Sequence, residues 1–137
     1  MKLGMTGSRT GINSAALEKL IKFLKDNKID EAHHGDCVGS DANFHNEASI
    51  LNIKTVIHPP INNKMRAYCQ GDESRIVKPY LARNKDIVNE TDMLIAFPPT
   101  KKEILKSGTW STIRYAKKIN KKVLIIYPDG EEEMINY

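Results

Sequence analysis

Two glycines and an arginine follow the first apolar segment, in the run Gly7-Ser8-Arg9-Thr10-Gly11. Glycine lets the backbone approach a ligand closely, and the N–H groups at the start of a following helix carry partial positive charge that suits phosphate. Arg9 adds a side chain capable of a bidentate contact to the same group. The run lacks the spacing G-x-G-x-x-G, so a plain turn is the alternative. We favour an anion-binding loop.

A second polar loop carries glycines and carboxylates between Gly35 and Asp41. Asp36 is predicted to contact ribose hydroxyls, because a carboxylate at a strand end has that role in dinucleotide-binding folds. Asp41 fits two roles equally well, a cap of the following helix and a ligand contact. The residues of this loop predicted to bind the ligand are Gly35, Asp36, Gly39, Ser40 and Asp41.

A third loop extends from Pro98 to Thr109 and ends in Ser107-Gly108-Thr109. At a helix start, these residues offer backbone amides and hydroxyls to a phosphate. The predicted ligand-binding residues here are Pro98, Ser107, Gly108 and Thr109. Trp110, the only tryptophan, is typical of a packing residue, and stacking on a base is the alternative.

The histidines match no metal-ligand spacing. We interpret His33, His34 and His58 as core or rim residues and predict neither a metal ion nor a cofactor. Cys37 and Cys69 lack the C-x-x-C spacing of redox and zinc sites. The cysteine usage therefore favours a reducing cytosol.

Apolar segments alternate with segments of helical periodicity along the chain. The helices are marked by Leu17 to Leu24, by Phe44 to Leu51, by Pro79 at a first turn leading to about Glu90, and by Gly108 to about Asn120. The predicted strands are Lys2 to Thr6, Glu31 to His34, Thr55 to His58, Met93 to Phe97, and Lys122 to Tyr127.

This alternation predicts an α/β fold, a Rossmann-like three-layer sandwich with a five-stranded, mostly parallel sheet and the first strand central. Ligands of such sheets bind outside the carboxyl ends of the strands. Because each polar loop follows a strand, the loops are expected to converge on one site. The aperiodic segment Ile61 to Lys78 is predicted to be flexible, and Pro128 to Tyr137 to be a short acidic tail.

The composition limits the class of protein. A chain of 137 residues fits one domain, residues 1–137, with its own core. No run approaches the roughly 20 apolar residues of a membrane span, and the amino terminus lacks a signal-peptide pattern. We therefore expect a soluble cytoplasmic protein of a bacterium or of a phage-infected host. The net charge of +4 favours anionic partners without choosing among them.

The ordered set of motifs resembles the SLOG superfamily of Rossmann-like domains, which includes the DNA-processing protein DprA, the "lonely guy" phosphoribohydrolases and nucleotide-sensing modules of bacterial conflict systems. The resemblance covers nearly the whole chain and is closest to short one-domain members, many of them in phages. The motifs that carry it are Gly7-Ser8-Arg9, His34-Gly35-Asp36, Gly39-Ser40-Asp41, Arg83-Asn84, Thr91-Asp92, Phe97-Pro98 and Ser107-Gly108-Thr109.

The resemblance implies a nucleotide-binding SLOG-like domain, with Arg83 and Asn84 among its ligand contacts. The lonely guy enzymes carry Pro-Gly-Gly-x-Gly-Thr-x-x-Glu, and the position of the catalytic glutamate is Thr112 here. A threonine cannot serve as that acid or base. Glu47, Asp36 or Asp41 would have to substitute for it, so the chain is expected to bind without catalysis.

Three functions follow as hypotheses. The first is binding, without turnover, of a nucleotide or a nucleotide-derived signal of the ADP-ribose or cyclic ADP-ribose type, as in a phage anti-defence sponge. The alternative is a nucleoside-monophosphate phosphoribohydrolase. The third, DprA-like binding of single-stranded DNA, is disfavoured because aromatic residues make up 7% of the chain. A homodimer or larger homo-oligomer is expected in each case.

Overall fold

The computed structural model describes residues 1–136 and shows one sheet with helices on both faces. The sheet has the order β4-β3-β2-β1-β5-β6-β7, in which every neighbouring pair is parallel except the antiparallel β6 and β7. The strands are β1 Lys2–Gly7, β2 Glu31–His34, β3 Lys54–Ile57, β4 Glu73–Ser74, β5 Met93–Phe97, β6 Lys122–Ile126 and β7 Glu132–Ile135. The helices are α1 Ser14–Asp26, α2 Ser40–Ile50, α3 Tyr80–Glu90 and α4 Gly108–Lys118.

The two faces of the sheet bury separate apolar cores. One core joins α1 and α2 to the sheet through side chains such as Leu20 and Phe44. The other joins α3 and α4 to the opposite face through Val88 and Ile113. The predicted three-layer α/β sandwich is confirmed, and β1 is the central strand as predicted.

The sheet has seven strands where five were predicted. Both additional strands lie at its edges. The first, β4, has only two residues, too few to show a period. The second, β7, occupies the acidic tail and is joined to β6 by a turn in which Gly130 has a φ of +85°. Its glutamates are typical of an exposed edge strand, and because of them the segment has no apolar run that would predict a strand. Tyr137, the last residue of that tail, lies outside the described residues.

The segment from Ile61 to Lys78 includes β4, and the part before β4 is attached to the carboxyl edge of the sheet by isolated backbone hydrogen bonds. The Val38 amide donates to the Met65 carbonyl and the Ala67 amide donates to the Asp36 carbonyl, each at 2.8 Å. These contacts have no regular spacing, which explains the missing period. The predicted flexibility of the segment stays a prediction.

The starts of α3 and α4 lie at the same edge of the sheet as the loop after β1. Pro79 precedes α3 as its N-terminal cap, one position before the predicted first turn. The Ser107 side chain caps α4 by accepting from the Trp110 amide at 3.3 Å. No helix within residues 1–136 has both the length and the apolar character needed to cross a membrane.

Candidate functional site

A cavity of about 470 Å³ lies at the carboxyl edge of the sheet, on the face covered by α3 and α4. It adjoins the ends of β1 and β5, between which the strand order reverses, and this is where ligands bind in open α/β sheets. Its walls are the loops after β1 and β2 and the first turns of α3 and α4. The predicted site residues that line it are Gly7, Ser8, Arg9, Gly35, Asp41, Arg83, Asn84, Ser107, Gly108 and Thr109.

The first turn of α4 presents its backbone to this cavity. Amides in the first turn of a helix have no intrahelical acceptor and carry partial positive charge. Gly108 is exposed there, and a Cβ added to it would meet no atom within 4 Å. The open space in front of Gly108 therefore leaves room for an anionic group against the helix start.

Two arginines lie near one aromatic ring at the cavity wall. The guanidinium carbon of Arg9 is 5.4 Å from the ring centroid of Tyr80, and that of Arg83 is 5.3 Å from it. Both distances lie within the range of a cation–π contact. The Arg9 guanidinium has no hydrogen-bond partner in residues 1–136, so its donors remain available to a ligand.

Arg83 is buried and uses most of its donors inside the protein. Its Nη1 donates to the backbone carbonyls of Gly35 and His58, the latter at 3.0 Å. Its Nε donates to Asn84 Oδ1 at 2.7 Å, and Nη2 contacts Cys37 Sγ at 3.7 Å. Arg83 therefore ties together the loops that form the cavity wall, and only Nη2 retains a donor for a ligand.

Asp41 is a buried carboxylate in the cavity wall. Its Oδ2 accepts from the Cys37 amide at 3.1 Å, a loop contact rather than a helix cap. Burial raises the pKa of Asp41 to about 6, although nearby Arg83 opposes the rise. Asp41 is thus the ionisable carboxyl group of the cavity.

Gly39 and Ser40 support the site from behind and do not line the cavity. The Ser8 carbonyl accepts from Ser40 Oγ at 2.6 Å and from the Ser40 amide at 3.1 Å. Gly39 has a φ of +90°, and a Cβ there would collide with the Arg9 backbone. Both residues fix the loop after β1 through its backbone.

The predicted ribose contact of Asp36 does not agree with its position. Asp36 is fully buried outside the cavity lining. Its Oδ2 accepts from Arg66 Nε at 2.7 Å and its Oδ1 accepts from the Cys69 amide at 2.8 Å. The carboxylate attaches the segment Ile61 to Lys78 to the β2 loop, a partner that the sequence pattern does not reveal.

Pro98 also lies outside the main cavity. It lines a smaller cavity of about 220 Å³ on the α1 face of the sheet. Ser8 and Pro99 line both cavities and separate them. Pro98 therefore turns the chain after β5 toward the opposite face.

Thr112 and Trp110 point away from the cavity. Thr112 is buried, and its Oγ1 donates to the Gly108 carbonyl at 2.9 Å within the helix. Trp110 packs in the core beside Tyr127, with the ring centroids 6.5 Å apart. The packing interpretation of Trp110 therefore fits its position.

The lining residues not predicted from the sequence are Met5, Thr6, Cys37, Tyr80, Leu81, Ile87, Pro99 and Lys106. Tyr80 follows Pro79 at the start of a helix. That position could have indicated a lining residue, because a helix that follows a parallel strand begins at the carboxyl edge of the sheet. Lys106 directly precedes the Ser107 motif. Leu81 and Cys37 carry no comparable signal.

Fold and site together define a Rossmann-type α/β protein with its candidate site at the topological switch point. Among solved structures, the DNA processing protein A (DprA) from Streptococcus pneumoniae matches with a TM-score of 0.67 at 23% identity, over 90% of this chain and 49% of that one. DprA from Helicobacter pylori matches with a TM-score of 0.62 at 22% identity, over 91% and 64%. The protein TM1055 matches with a TM-score of 0.65 at 13% identity, over 90% and 72%.

These likenesses confirm the fold that the SLOG resemblance implied. The chain spans about half the length of the DprA chain from S. pneumoniae. No protein-family model matches the sequence. No curated protein matches it either.

Proposed function

We propose that this protein binds a nucleotide or a nucleotide-derived signal, of the ADP-ribose or cyclic ADP-ribose type, without turnover. The observation that carries the proposal is the open space in front of Gly108, at the positively polarised start of α4. Arg9 offers free donors beside the same cavity. A volume of about 470 Å³ lies within the range of small-molecule sites.

The donors and the aromatic ring of the cavity indicate where the phosphate and the base of the ligand would bind. We place the phosphate against the α4 amides and Arg9, because the helix start is positively polarised and the Arg9 guanidinium has no hydrogen-bond partner in residues 1–136. The base packs against Tyr80, whose ring forms part of the wall. In a phage-infected bacterium, such a domain would act as a sponge that removes a defence signal.

Binding without turnover is supported by the positions of the candidate acids. Thr112 donates its hydroxyl to the helix backbone, and Asp36 is held by Arg66 and Cys69 outside the cavity. Glu47 is also absent from the cavity lining. Asp41 alone among the acids considered lines the cavity.

A phosphoribohydrolase is the second candidate, and Asp41 is the observation that favours it. A carboxyl group with a pKa of about 6 is suited to general acid–base work near neutral pH. DprA-like binding of single-stranded DNA is the third candidate. The H. pylori DprA structure is described as showing a single-stranded DNA binding mode, and the charge of +4 is compatible with that ligand.

The experiment is to incubate the protein with ADP-ribose, cyclic ADP-ribose and nucleoside monophosphates, remove unbound ligand, denature the protein and identify what it releases. Intact ligand is the expected result. Free base formed at about 1 per second or faster would establish an enzyme. Asp41→Asn is the matched variant, because a release of base that depends on the Asp41 carboxyl group would be lost in it.

A further inference from the structure

Two buried histidines and two carboxylates form a continuous chain between β2, β3 and the end of α3. His33 Nε2 lies 2.8 Å from Glu31 Oε1, and His33 Nδ1 lies 2.8 Å from His58 Nε2. His58 Nδ1 lies 3.9 Å from Glu90 Oε2. The side chains of His33 and His58 are 1% and 2% exposed.

The position of each hydrogen in this chain is determined by its neighbours. Glu31 is a carboxylate acceptor, so His33 must carry its hydrogen on Nε2. His33 Nδ1 is then an acceptor, which requires the hydrogen of neutral His58 to lie on Nε2. A lone pair therefore remains on His58 Nδ1, and it faces a second acceptor, Glu90 Oε2, across a gap too long for a hydrogen bond.

The other histidine pair shows the contrast. The Asp36 amide donates to His34 Nδ1 at 3.0 Å, so His34 donates from Nε2 to His45 Nδ1 at 2.9 Å. The remaining His45 nitrogen then carries the hydrogen and interacts with the backbone of Gln70. Each nitrogen has a partner, and His34 cannot bind a metal through Nε2 without losing its only hydrogen. Cys69 beside this pair therefore does not complete a metal site.

We propose that His58 Nδ1 and Glu90 Oε2 bind a divalent transition-metal cation of the zinc class. Imidazole and carboxylate are both ligands of zinc, at about 2.0 to 2.2 Å. Two such bonds have a combined length of about 4.0 to 4.3 Å, so they span the gap of 3.9 Å at a wide angle, and water completes the coordination because Glu90 lies at the surface.

The surroundings hold both ligands in the required state. His33 and Glu31 act as positioning residues, since a histidine ligand ordinarily donates its second N–H to an acceptor. Arg75 Nε donates to Glu90 Oε1 at 2.9 Å and leaves Oε2 free for the cation. Because His33 holds His58 as the tautomer with its hydrogen on Nε2, the Nδ1 lone pair is available to the cation.

The sequence spacing does not reveal this site, because His33, His58 and Glu90 come from three separate elements. The site is independent of the nucleotide cavity, whose lining includes none of these residues. Failure of one proposal therefore leaves the other unaffected.

The test is calorimetric titration of the untagged protein with ZnCl₂ at pH 7.5, with Co²⁺ absorption as a second readout. We expect Glu90→Gln to weaken zinc binding at least tenfold, and Glu31→Gln to weaken it about tenfold. Glu73→Gln is the matched control. Glu73 also pairs with Arg75, at 3.1 Å, but is not in the histidine chain, so zinc affinity should stay unchanged.

Nitrogen-15 NMR of the histidine rings gives a direct readout. Zinc should shift the His58 Nδ1 resonance. Equal zinc affinity in wild type and Glu90→Gln would overturn the proposal. So would loss of binding in Cys69→Ser with Glu90→Gln unaffected, or a His58 Nδ1 resonance that zinc leaves unchanged.

Discussion

Arg9 and Arg83 line the same cavity but differ in burial and in hydrogen bonding. Arg9 is exposed, and its guanidinium contacts only the Tyr80 ring within residues 1–136. Arg83 is buried, with donors directed to backbone carbonyls. The sequence motifs predict both as ligand contacts, and only the structure shows that Arg83 bonds the protein's own backbone while Arg9 does not.

Arg9→Ala is expected to weaken ADP-ribose binding about tenfold or more, because a hydrogen bond to a charged group contributes roughly 1.5 to 3 kcal/mol. Its melting temperature should stay at the wild-type value, since no internal hydrogen bond is lost. Calorimetry and thermal unfolding measure the two quantities. A variant that binds as tightly as wild type would remove Arg9 from the site.

Arg83→Ala is expected to lower stability as well as binding. The carbonyls of Gly35 and His58 would lose a donor in a buried region, at a cost of about 1 to 3 kcal/mol for each unsatisfied group. Thermal or urea unfolding measures this loss. An unchanged melting temperature would contradict the supporting role of Arg83.

At the scale of elements, strands with apolar sequences were predictable and edge strands were not. The segment Met93–Phe97 is buried throughout, so its apolar run identifies it directly. The strand β7 has two exposed glutamates and is stabilised by pairing with β6, a non-local contact. The partners of Asp36, Arg66 and Cys69, were not predictable for the same reason, because they lie about 30 residues away in a segment without a period.

The histidines on β2, β3 and α2 make stability dependent on pH. Burial lowers the pKa of each of them, namely His33, His34, His45 and His58. Below about pH 6.5 the unfolded chain therefore binds more protons than the folded protein. The contribution of the neutral histidines to the free energy of unfolding is complete above that pH and is lost as pH falls. Asp41, with its raised pKa, acts in the opposite direction but is a single group.

Urea unfolding between pH 7 and pH 5 tests this dependence. The free energy of unfolding should fall by about 1.4 kcal/mol per pH unit for each histidine that stays neutral in the folded state. His58→Gln should reduce this fall in the free energy of unfolding by about the contribution of one histidine. A free energy that is constant across this range would show that the histidines are protonated in the folded protein.

At the scale of the whole molecule, exposed apolar side chains lie near the mouth of the cavity. Leu81, which lines the cavity, is 63% exposed. Leu105, in the loop that precedes α4, is 82% exposed. Apolar surface beside a site favours association. We expect a second copy of the chain to cover it.

Light scattering should give a mass of at least twice 15.5 kDa. Leu81→Asp should shift the protein to monomer, because a charge would be buried in the interface. Ile50→Asp is the control, since Ile50 is 70% exposed at the end of α2 on the opposite face of the sheet. A monomer mass for wild type at every working concentration would contradict this prediction.

The proposed nucleotide site lies at the carboxyl edge of the sheet, and a substitution at Gly108 tests it most directly. A valine at position 108 would extend into open space, so the fold should persist while the side chain occupies the phosphate position. Lys117 is exposed near the far end of the same helix, and Lys117→Ala is the matched control.

The measurement is calorimetric titration of wild type, Gly108→Val and Lys117→Ala with ADP-ribose. We expect wild type and Lys117→Ala to bind with equal affinity, and we expect Gly108→Val not to bind although its melting temperature is nearly unchanged. Equal binding by Gly108→Val and wild type would contradict the site, and an equal loss in Lys117→Ala would indicate diffuse electrostatic attraction in place of a defined pocket.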